Sequence, residues 1–262
     1  MFEASLPLIL VLVFLFGLAG FIDSIAGGGG LISLTSLYVA GLPPVQAIST
    51  NKFSMTFGTF FATVNYARER KIVWRIVLSS IAFALIGSSI GAQLALVYAD
   101  TILKYMLLAV LPVLTVLTLR KKEEKGGRLI RINEELGSFS ITASAYAVSA
   151  FASLLIGMYD GFFGPGTGTF YTILFSFMGL PLIFSAGTTK VLNLTSNIAA
   201  FITFIMNGTI LFSVGIPCAF ASVAGNLIGS SYALRREGKA IRKILIAVIA
   251  LLYVKILIEL FF

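Results

Sequence analysis

The fold of this chain is determined by GFIDSIAGGGG at residues 20–30, followed by GLPPVQAISTNK at residues 41–52. The same arrangement returns as GMYDGFFGPGTG at residues 157–168 and GLPLIFSAGTTK at residues 179–190, with a spacing equal to within one residue. In both copies an apolar segment ends in Asp and a Gly-rich break, and a short apolar piece leads through Gly-Leu-Pro into a new helix. The chain is therefore predicted to contain an internal duplication.

The composition places both copies in a membrane. Hydrophobic residues make up 58% of the chain and charged residues only 11%, whereas a soluble domain carries roughly 25% charged residues. Apolar runs of roughly twenty residues, enough to cross the hydrocarbon core, occur at residues 6–26, 76–99, 139–157 and 244–262. We expect an all-α, multi-pass integral membrane protein with about 8–10 membrane segments of this kind.

The charged loops predict that the two halves have opposite orientations. We expect membrane repeats at residues 1–119 and 139–262, joined by a cytoplasmic loop at 120–138. The connection at residues 68–75 in the first half is basic, while its counterpart at 207–213 is uncharged. Because basic loops stay in the cytoplasm, the two halves are expected to form an inverted repeat.

The apolar pieces after the Gly-rich breaks are short, at residues 31–40 and 167–178. As helices they would span only about 15 to 18 Å, too little for a straight crossing of the membrane. They either tilt across the membrane or return as re-entrant hairpins, and both alternatives stay open at this point. Such broken helices form solute sites in transporters that are built from inverted repeats.

The Gly-rich breaks are predicted to bind an anion. Gly and Pro stop helices and leave backbone N–H groups unpaired, and the helix start that follows carries a partial positive charge. The alternative is that glycine only allows helices to pack closely. The residues assigned to substrate binding from the breaks are Gly27, Gly28, Gly29, Gly30, Gly164, Gly166, Thr167 and Gly168.

Lys52 and Lys190 occupy equivalent positions near the start of long apolar helices. A charge at the centre of a bilayer costs at least about 2.5 kcal/mol, so it marks a functional site unless the lysine reaches the interface by snorkelling. Polar residues recur beside both lysines at helical spacing and indicate an inward polar face. The residues assigned to one central anion site are Thr50, Asn51, Lys52, Lys190, Asn193 and Asn197.

Asp23 and Asp160 precede the two breaks and are candidates either for carrying a coupling proton or for a structural role as helix caps or ion-pair partners. The chain contains no His, which disfavours His-based catalytic triads and the usual zinc sites. We therefore expect no metal and no cofactor. Nucleic acid is not expected as a partner either, because most of the Lys and Arg residues lie in short loops.

The segments AGFIDSIAGGGGLISL, GLPPVQAISTNK, GMYDGFFGPGTGTF and KVLNLTSN closely resemble the TauE/SafE family, also called the sulfite exporter or 4-toluene sulfonate uptake permease family. The resemblance implies a transporter in the bacterial cytoplasmic (inner) membrane. Its implied substrates are small sulfur oxyanions or organosulfonates, such as sulfite or sulfoacetate, and many members are exporters. The motif positions carried over are Asp23, Gly27 to Gly30, Thr50, Asn51 and Lys52, with Asp160, Gly164 to Gly168, Lys190, Asn193 and Asn197 in the second half.

The favoured function is secondary anion transport by alternating access, because the Gly runs lack the Lys-Ser/Thr ending of a nucleotide-binding loop. The expected partners are a small anion, the lipid bilayer and protons as coupling ion, and the oligomeric state stays open. Two alternatives remain: an intramembrane enzyme that acts on a lipid or polar head group, with Asp and Lys as acid and base, and an anion channel.

The inverted repeat predicts that cysteines introduced at Lys122 and Ser213 are modified from opposite sides of the membrane. Labelling with a membrane-impermeant thiol reagent, in intact cells and in inside-out vesicles, measures this accessibility. Modification of both positions from the same side would contradict the inverted repeat.

Overall fold

The computed structural model describes residues 5–119, 129–133 and 138–236. Within these residues the chain forms eight helices and one short β-hairpin, so it is an all-α membrane protein, as the composition predicts. The elements are α1 Leu6–Ala26, α2 Gly29–Val39, α3 Pro44–Arg68, α4 Trp74–Leu119, β1 Ile130–Asn133, β2 Ser138–Ile141, α5 Ala143–Phe162, α6 Thr167–Met178, α7 Leu182–Met206 and α8 Phe212–Arg235. The apolar run at 244–262 lies outside the described residues.

Five of the described helices are long and apolar enough to cross a membrane: α1, the 74–99 part of α4, α5, α7 and α8. α3 has the same length as α7, 25 residues, but carries more polar side chains. Asn51, Lys52 and Thr59 on α3 are all buried. Because lipid cannot hydrogen-bond such groups, α3 has to be surrounded by other helices.

The two short helices return along the helices that precede them. α2 has 11 residues, and Leu37 near its end shares a buried cluster with Leu12 near the start of α1. α6 runs back along α5, since Tyr171 bonds to the Ser153 carbonyl and Met178 meets Ser149, which lies nearer the start of α5. Both short helices therefore run back along the preceding helix, which a tilted crossing and a re-entrant hairpin both predict.

The helices pack as two four-helix bundles that do not coincide with the two halves of the sequence. The first bundle contains α1, α2, α3 and α8, and the second contains α4, α5, α6 and α7. Each half therefore places its fourth helix in the bundle of the other half. The two bundles meet mainly where α3 packs against α7.

Glycines allow the closest helix contacts inside each bundle. A Cβ atom at Gly225 of α8 would overlap the backbone of Gly17 on α1, and one at Gly161 of α5 would overlap the backbone of Ser88 on α4. Small residues let helix backbones approach closely in membranes, where helix association has no hydrophobic driving force. The short distances between α1 and α8 and between α4 and α5 therefore depend on small residues at the contacts.

α3 and α7 run in opposite directions through the molecule. α3 begins beside the connection at 207–211, where the Ser49 hydroxyl donates to the Thr209 carbonyl oxygen at 2.8 Å. It ends beside the end of α8, where the Asn65 amide donates to the Ser230 hydroxyl at 2.8 Å. α7 ends at Met206, immediately before the 207–211 connection. Antiparallel equivalent helices are what an inverted repeat requires.

Among the side chains that the structure describes, the two ends of the molecule differ in charge. The start of α7 lies beside the basic connection of the first half, because the Lys71 ammonium is 5.2 Å from the ring centroid of Phe184. We call this the basic end, defined by Arg68, Arg70, Lys71, Arg75, Arg235 and Arg236. The opposite end, which we call the uncharged end, contains the connection at 207–211.

The connection between the halves differs from the predicted loop. The strands β1 and β2 pair antiparallel, with Ile130 opposite Ile141, and α5 begins only at Ala143. Alternating β-branched and aromatic residues favour a strand over a helix here. The Thr142 hydroxyl accepts from the Ala145 N–H at 3.2 Å and caps α5, which fixes the helix start at this point. Residues 120–128 lie outside the described part.

The α1–α8 seam predicts opposite effects for two Gly→Ala substitutions on facing helices. Gly225→Ala inserts a methyl group against the Gly17 backbone and is expected to cost about 1–3 kcal/mol of stability. Gly17→Ala is the matched control, because its added Cβ would lie 3.8 Å from the nearest atom, the Ala221 carbonyl oxygen. Alanine also favours helix formation by up to about 1 kcal/mol over glycine. Thermal unfolding of the purified protein in detergent checks both, and equal melting temperatures would contradict the size argument.

Candidate functional site

The first break ends α1 immediately after the last turn that carries Asp23. Gly27 adopts a left-handed conformation with φ of 79°, and its N–H donates to the Asp23 carbonyl oxygen at 2.8 Å. Only glycine takes up this conformation without steric cost. α2 begins at Gly29, so the chain reverses within a few residues of the Asp23 carboxylate.

The second break meets the first at the centre of the molecule. A Cβ atom at Gly27 would overlap the backbone of Gly168. The Thr169 hydroxyl donates to the Ala26 carbonyl oxygen at 3.0 Å and joins the two hairpins directly. The glycines of the breaks therefore serve close backbone packing, and they also position the ends of α1 and α5.

Two buried ion pairs connect the two bundles. The Lys52 Nζ of α3 lies 2.7 Å from the Asp160 Oδ1 of α5, and the Lys190 Nζ of α7 lies 2.8 Å from the Asp23 Oδ2 of α1. All four side chains are at least nine-tenths buried. Because each lysine pairs with the aspartate of the opposite half, the pairs cross the bundle interface in both directions.

The ion pairs exclude the alternative that the two lysines reach the membrane surface by snorkelling. Lys52 and Lys190 are only 2% and 1% exposed, and both ammonium groups are held by carboxylates inside the protein. A snorkelling lysine would place its ammonium in water or among lipid head groups. The two lysines are therefore interior charges, and the two aspartates neutralise them.

The two ion pairs have different surroundings. Lys52 also donates to the side-chain Oδ1 of Asn197 at 2.8 Å, while Lys190 donates to the backbone carbonyl oxygen of Asp23. The Ser196 hydroxyl donates to the free carboxylate oxygen of Asp160, Oδ2. The Lys52 pair is thus held by side chains, which can rearrange, whereas the Lys190 pair is also fixed to the backbone of α1.

A small cavity lies where the two breaks and the Lys52 pair meet. Its volume is about 20 Å³, which is room for one or two water molecules. The lining residues are Asp23, Gly27, Gly30, Asn51, Lys52, Met55, Asp160, Gly164, Gly168, Asn193 and Asn197. The cavity is therefore bordered by side chains from both bundles.

Most of the residues assigned to the site from the sequence come together around this cavity, but six do not line it: Gly28, Gly29, Thr50, Gly166, Thr167 and Lys190. Thr50 faces the uncharged end, where its hydroxyl accepts from the Leu211 N–H at 3.0 Å. The Thr167 hydroxyl donates to the Gly164 carbonyl oxygen and stabilises the break itself. Lys190 is separated from the cavity by its pairing with Asp23.

Sequence reasoning missed two residues of the site. Met55 lines the cavity one turn after Lys52, at the position equivalent to Asn193 in the second half. Ser196 holds Asp160 and lies immediately before Asn197. Met55 lies on the same helix face as Lys52, which could have indicated that it lines the site. Its apolar side chain does not mark a binding residue in a membrane helix. Nothing in the sequence indicated that Ser196 reaches α5.

The cavity combines paired charges with an unsatisfied polar group. Asn51 is buried, and its Oδ1 has no hydrogen-bond partner in the described structure. Two lysines and two aspartates sum to zero, so the two ion pairs leave no excess charge at the site. A solute that enters therefore has to compete with the existing partners of Lys52 or occupy the amide-lined space beside it.

Comparison with known proteins identifies the family of the chain. The family model described as "Sulfite exporter TauE/SafE" matches residues 12–256. The chain belongs to this family. It is 34% identical to the Escherichia coli (strain K12) "Probable membrane transporter protein YfcA" over 256 residues, which is 96% of this chain and 90% of YfcA.

Two further relatives extend the comparison. The chain is 34% identical over 244 residues to the Sinorhizobium sp protein "Probable membrane transporter protein ORF9", covering 92% of this chain and 88% of that protein. It is 26% identical over 227 residues to YdhB of Bacillus subtilis (strain 168), covering 86% and 89%. No solved structure matches the chain. This TauE/SafE protein is a multi-pass membrane transporter and not an enzyme.

The paired charges predict a specific pattern of stability in single and double variants. Lys190→Met leaves the Asp23 carboxylate buried without its ion partner and is expected to cost about 3–5 kcal/mol. Adding Asp23→Asn removes the uncompensated charge and should restore part of this loss. Thermal unfolding of the purified protein in detergent measures both effects.

The matched control for this pair is Lys71→Met, which removes a partly exposed ammonium beside Phe184 and should cost less than about 1 kcal/mol. If the double variant Lys190→Met/Asp23→Asn were as unstable as the sum of its single variants, the two residues would not be energetically coupled.

Proposed function

We propose that the protein is a secondary transporter, located in a bacterial inner membrane, that exports a small anion such as sulfite or an organosulfonate. Transport proceeds by alternating access, with protons as coupling ion. The observation that carries the proposal is the buried Lys52 ammonium, which faces a central cavity between two bundles and forms its ion pair there with Asp160. A buried cation at the meeting point of broken helices is suited to an anionic solute.

The proposed binding site lies at the cavity. Its residues are Gly27, Gly30, Asn51, Lys52, Gly164, Gly168, Asn193 and Asn197, with Asp23 and Asp160 as ion-pair partners or proton carriers. The antiparallel course of α3 and α7 supports an inverted repeat, and the basic residues support a cytoplasmic location of the basic end. The site would then be exposed alternately to the two sides as the bundles move.

The substrate class rests on the site chemistry and on the family. The matching family model is described as a sulfite exporter, and the names of the relatives state only a membrane transporter. An oxyanion head group could accept hydrogen bonds from the Lys52 ammonium and from asparagine amides.

Reconstituted vesicles test the proposal. Uptake of sulfite, sulfoacetate, thiosulfate and simple carboxylates is measured under imposed proton and sodium gradients, together with flux in the absence of any gradient. Accumulation of one anion against its gradient, driven by protons, is the expected result. Flux that ignores every ion gradient would identify a channel, and the absence of anion flux would overturn the proposal.

Lys52→Met provides the site-directed prediction. It keeps the bulk of the side chain and removes its charge and donors, so anion binding should weaken by about 1.5–3 kcal/mol, the worth of a charged hydrogen bond. Lys71→Met at the basic end is the control and should bind and transport like the unmodified protein. Titration calorimetry measures the affinity, and an unchanged affinity in Lys52→Met would remove this lysine from the binding site.

A further inference from the structure

The Lys52–Asp160 pair suggests how an anion enters the site. Building on the proposed function, we infer that the Asp160 carboxylate occupies the anion position on Lys52, and that a singly charged oxyanion replaces it only when Asp160 takes up one proton. The transported species is therefore a monoanion together with a proton, and its export is driven by the outward concentration gradient of the anion. Four observations lead to this inference: the difference between the two pairs, the cavity volume, the partners of Asp160 and the charge balance.

The two ion pairs differ in their access to the cavity. Lys52 and Asp160 both line it, whereas on the other pair only Asp23 does. Lys190 is bound on one side by the Asp23 carboxylate and on the other by the Asp23 backbone carbonyl oxygen. A solute in the cavity can reach the Lys52 ammonium and not that of Lys190. Lys52 is therefore the lysine that can change partners.

The cavity is too small for an oxyanion in addition to the existing carboxylate. A volume of about 20 Å³ holds one or two waters, while an oxyanion head group has at least three heavy atoms. The space that it needs beside Lys52 is the space now filled by the carboxylate of Asp160, 2.7 Å from Nζ. Binding therefore requires that the carboxylate moves away from Lys52.

Other groups are placed to support this exchange. The Ser196 hydroxyl bonds to the Asp160 Oδ2, the oxygen that does not pair with Lys52, so Asp160 keeps a partner when its Oδ1 leaves. Asn197 continues to accept a hydrogen bond from Lys52 through its own Oδ1. The Asn51 Oδ1, buried at the cavity without a partner, accepts hydrogen bonds, so it can receive one from a protonated group and not from a deprotonated oxyanion.

The charge balance sets the number of protons. A proton from the aqueous side bonds to a carboxylate oxygen of Asp160, while Lys52 keeps all its protons and its positive charge. The site then carries one excess positive charge, which one monoanion cancels. A dianion would leave a net negative charge in a desolvated site, and uncompensated buried charge is strongly unfavourable. One proton and one negative charge therefore enter together.

Several charged or titratable groups surround this pair in the described helices. Those that act on Asp160 or on its partner are Lys52 of α3, Asp23 of α1, Tyr159 of α5 and Tyr171 of α6, and Lys190 of α7 pairs with Asp23. Among the described residues, Lys52 is the cation that forms an ion pair with Asp160. Protonation of Asp160 therefore competes directly with its pairing to Lys52.

The test uses two probes whose charge does not change with pH near neutrality: methanesulfonate, a monoanion, and sulfate, a dianion. Binding to the purified full-length protein in detergent is measured by calorimetry between pH 5 and 8. The affinity for methanesulfonate should rise about tenfold per pH unit as the pH falls, which is the linkage slope for uptake of one proton. Calorimetry in two buffers of different ionisation enthalpy should show about one proton taken up per anion bound.

The matched variants are Asp160→Asn and Asp23→Asn, each of which removes one carboxylate and keeps its shape. Asp160→Asn should bind methanesulfonate at least as tightly as the unmodified protein does at low pH, without dependence on pH. Asp23→Asn should keep the dependence of affinity on pH. If Asp160→Asn does not fold, the number of protons taken up by the unmodified protein, measured by calorimetry in two buffers, still tests the inference.

Two results would overturn the inference while leaving the proposed function in place. They are binding of methanesulfonate by the unmodified protein without proton uptake, and binding of sulfate at least as tight as that of methanesulfonate. An unchanged pH dependence in folded Asp160→Asn would also overturn it. If neither these probes nor sulfite, sulfoacetate, thiosulfate or carboxylates bind or cross vesicles, the proposed function fails, and the inference fails with it.

Discussion

The structure depends on the neutralisation of four charges in an interior that water hardly reaches. A lysine ammonium in such a place is stable only beside a carboxylate, and each carboxylate needs the lysine equally. Because the partners come from different bundles, the same electrostatic requirement that allows the charges to be buried also holds the bundles together. The glycine breaks meet the steric requirement of the same arrangement. Only residues without a Cβ let the two hairpins come this close, and this contact brings Asp23 and Asp160 within reach of the lysines.

The sequence predicted a large part of this arrangement. Hydropathy gave the membrane class, and the repeated Asp, Gly and Lys pattern located most of the residues around the cavity, because each of these residue types is costly inside a membrane helix without a specific reason. The difference between Lys52 and Lys190 was not predictable in this way. The two lysines occupy equivalent positions in the repeat, and only the three-dimensional packing shows that one faces a cavity and the other is covered by a backbone carbonyl.

Long-range packing explains the other gaps. Hydrophobic periodicity reports which face of a helix is buried, but it does not report which helix covers that face, so the assignment of α4 and α8 to opposite bundles was not visible. Ser196 reaches Asp160 from a different helix, and such contacts leave no local pattern. The β-hairpin was missed for a different reason, since a short stretch of alternating apolar residues next to a membrane segment reads as part of one long apolar run.

The exchange of the fourth helices has a consequence for how the molecule can be divided. A chain cut between residues 120 and 128 would yield two fragments, each with a helix whose glycine-lined face matches the other fragment. Neither fragment could cover that face alone, and each would contain a lysine and an aspartate whose partners are both on the other piece. The two fragments would therefore behave as an obligate heterodimer.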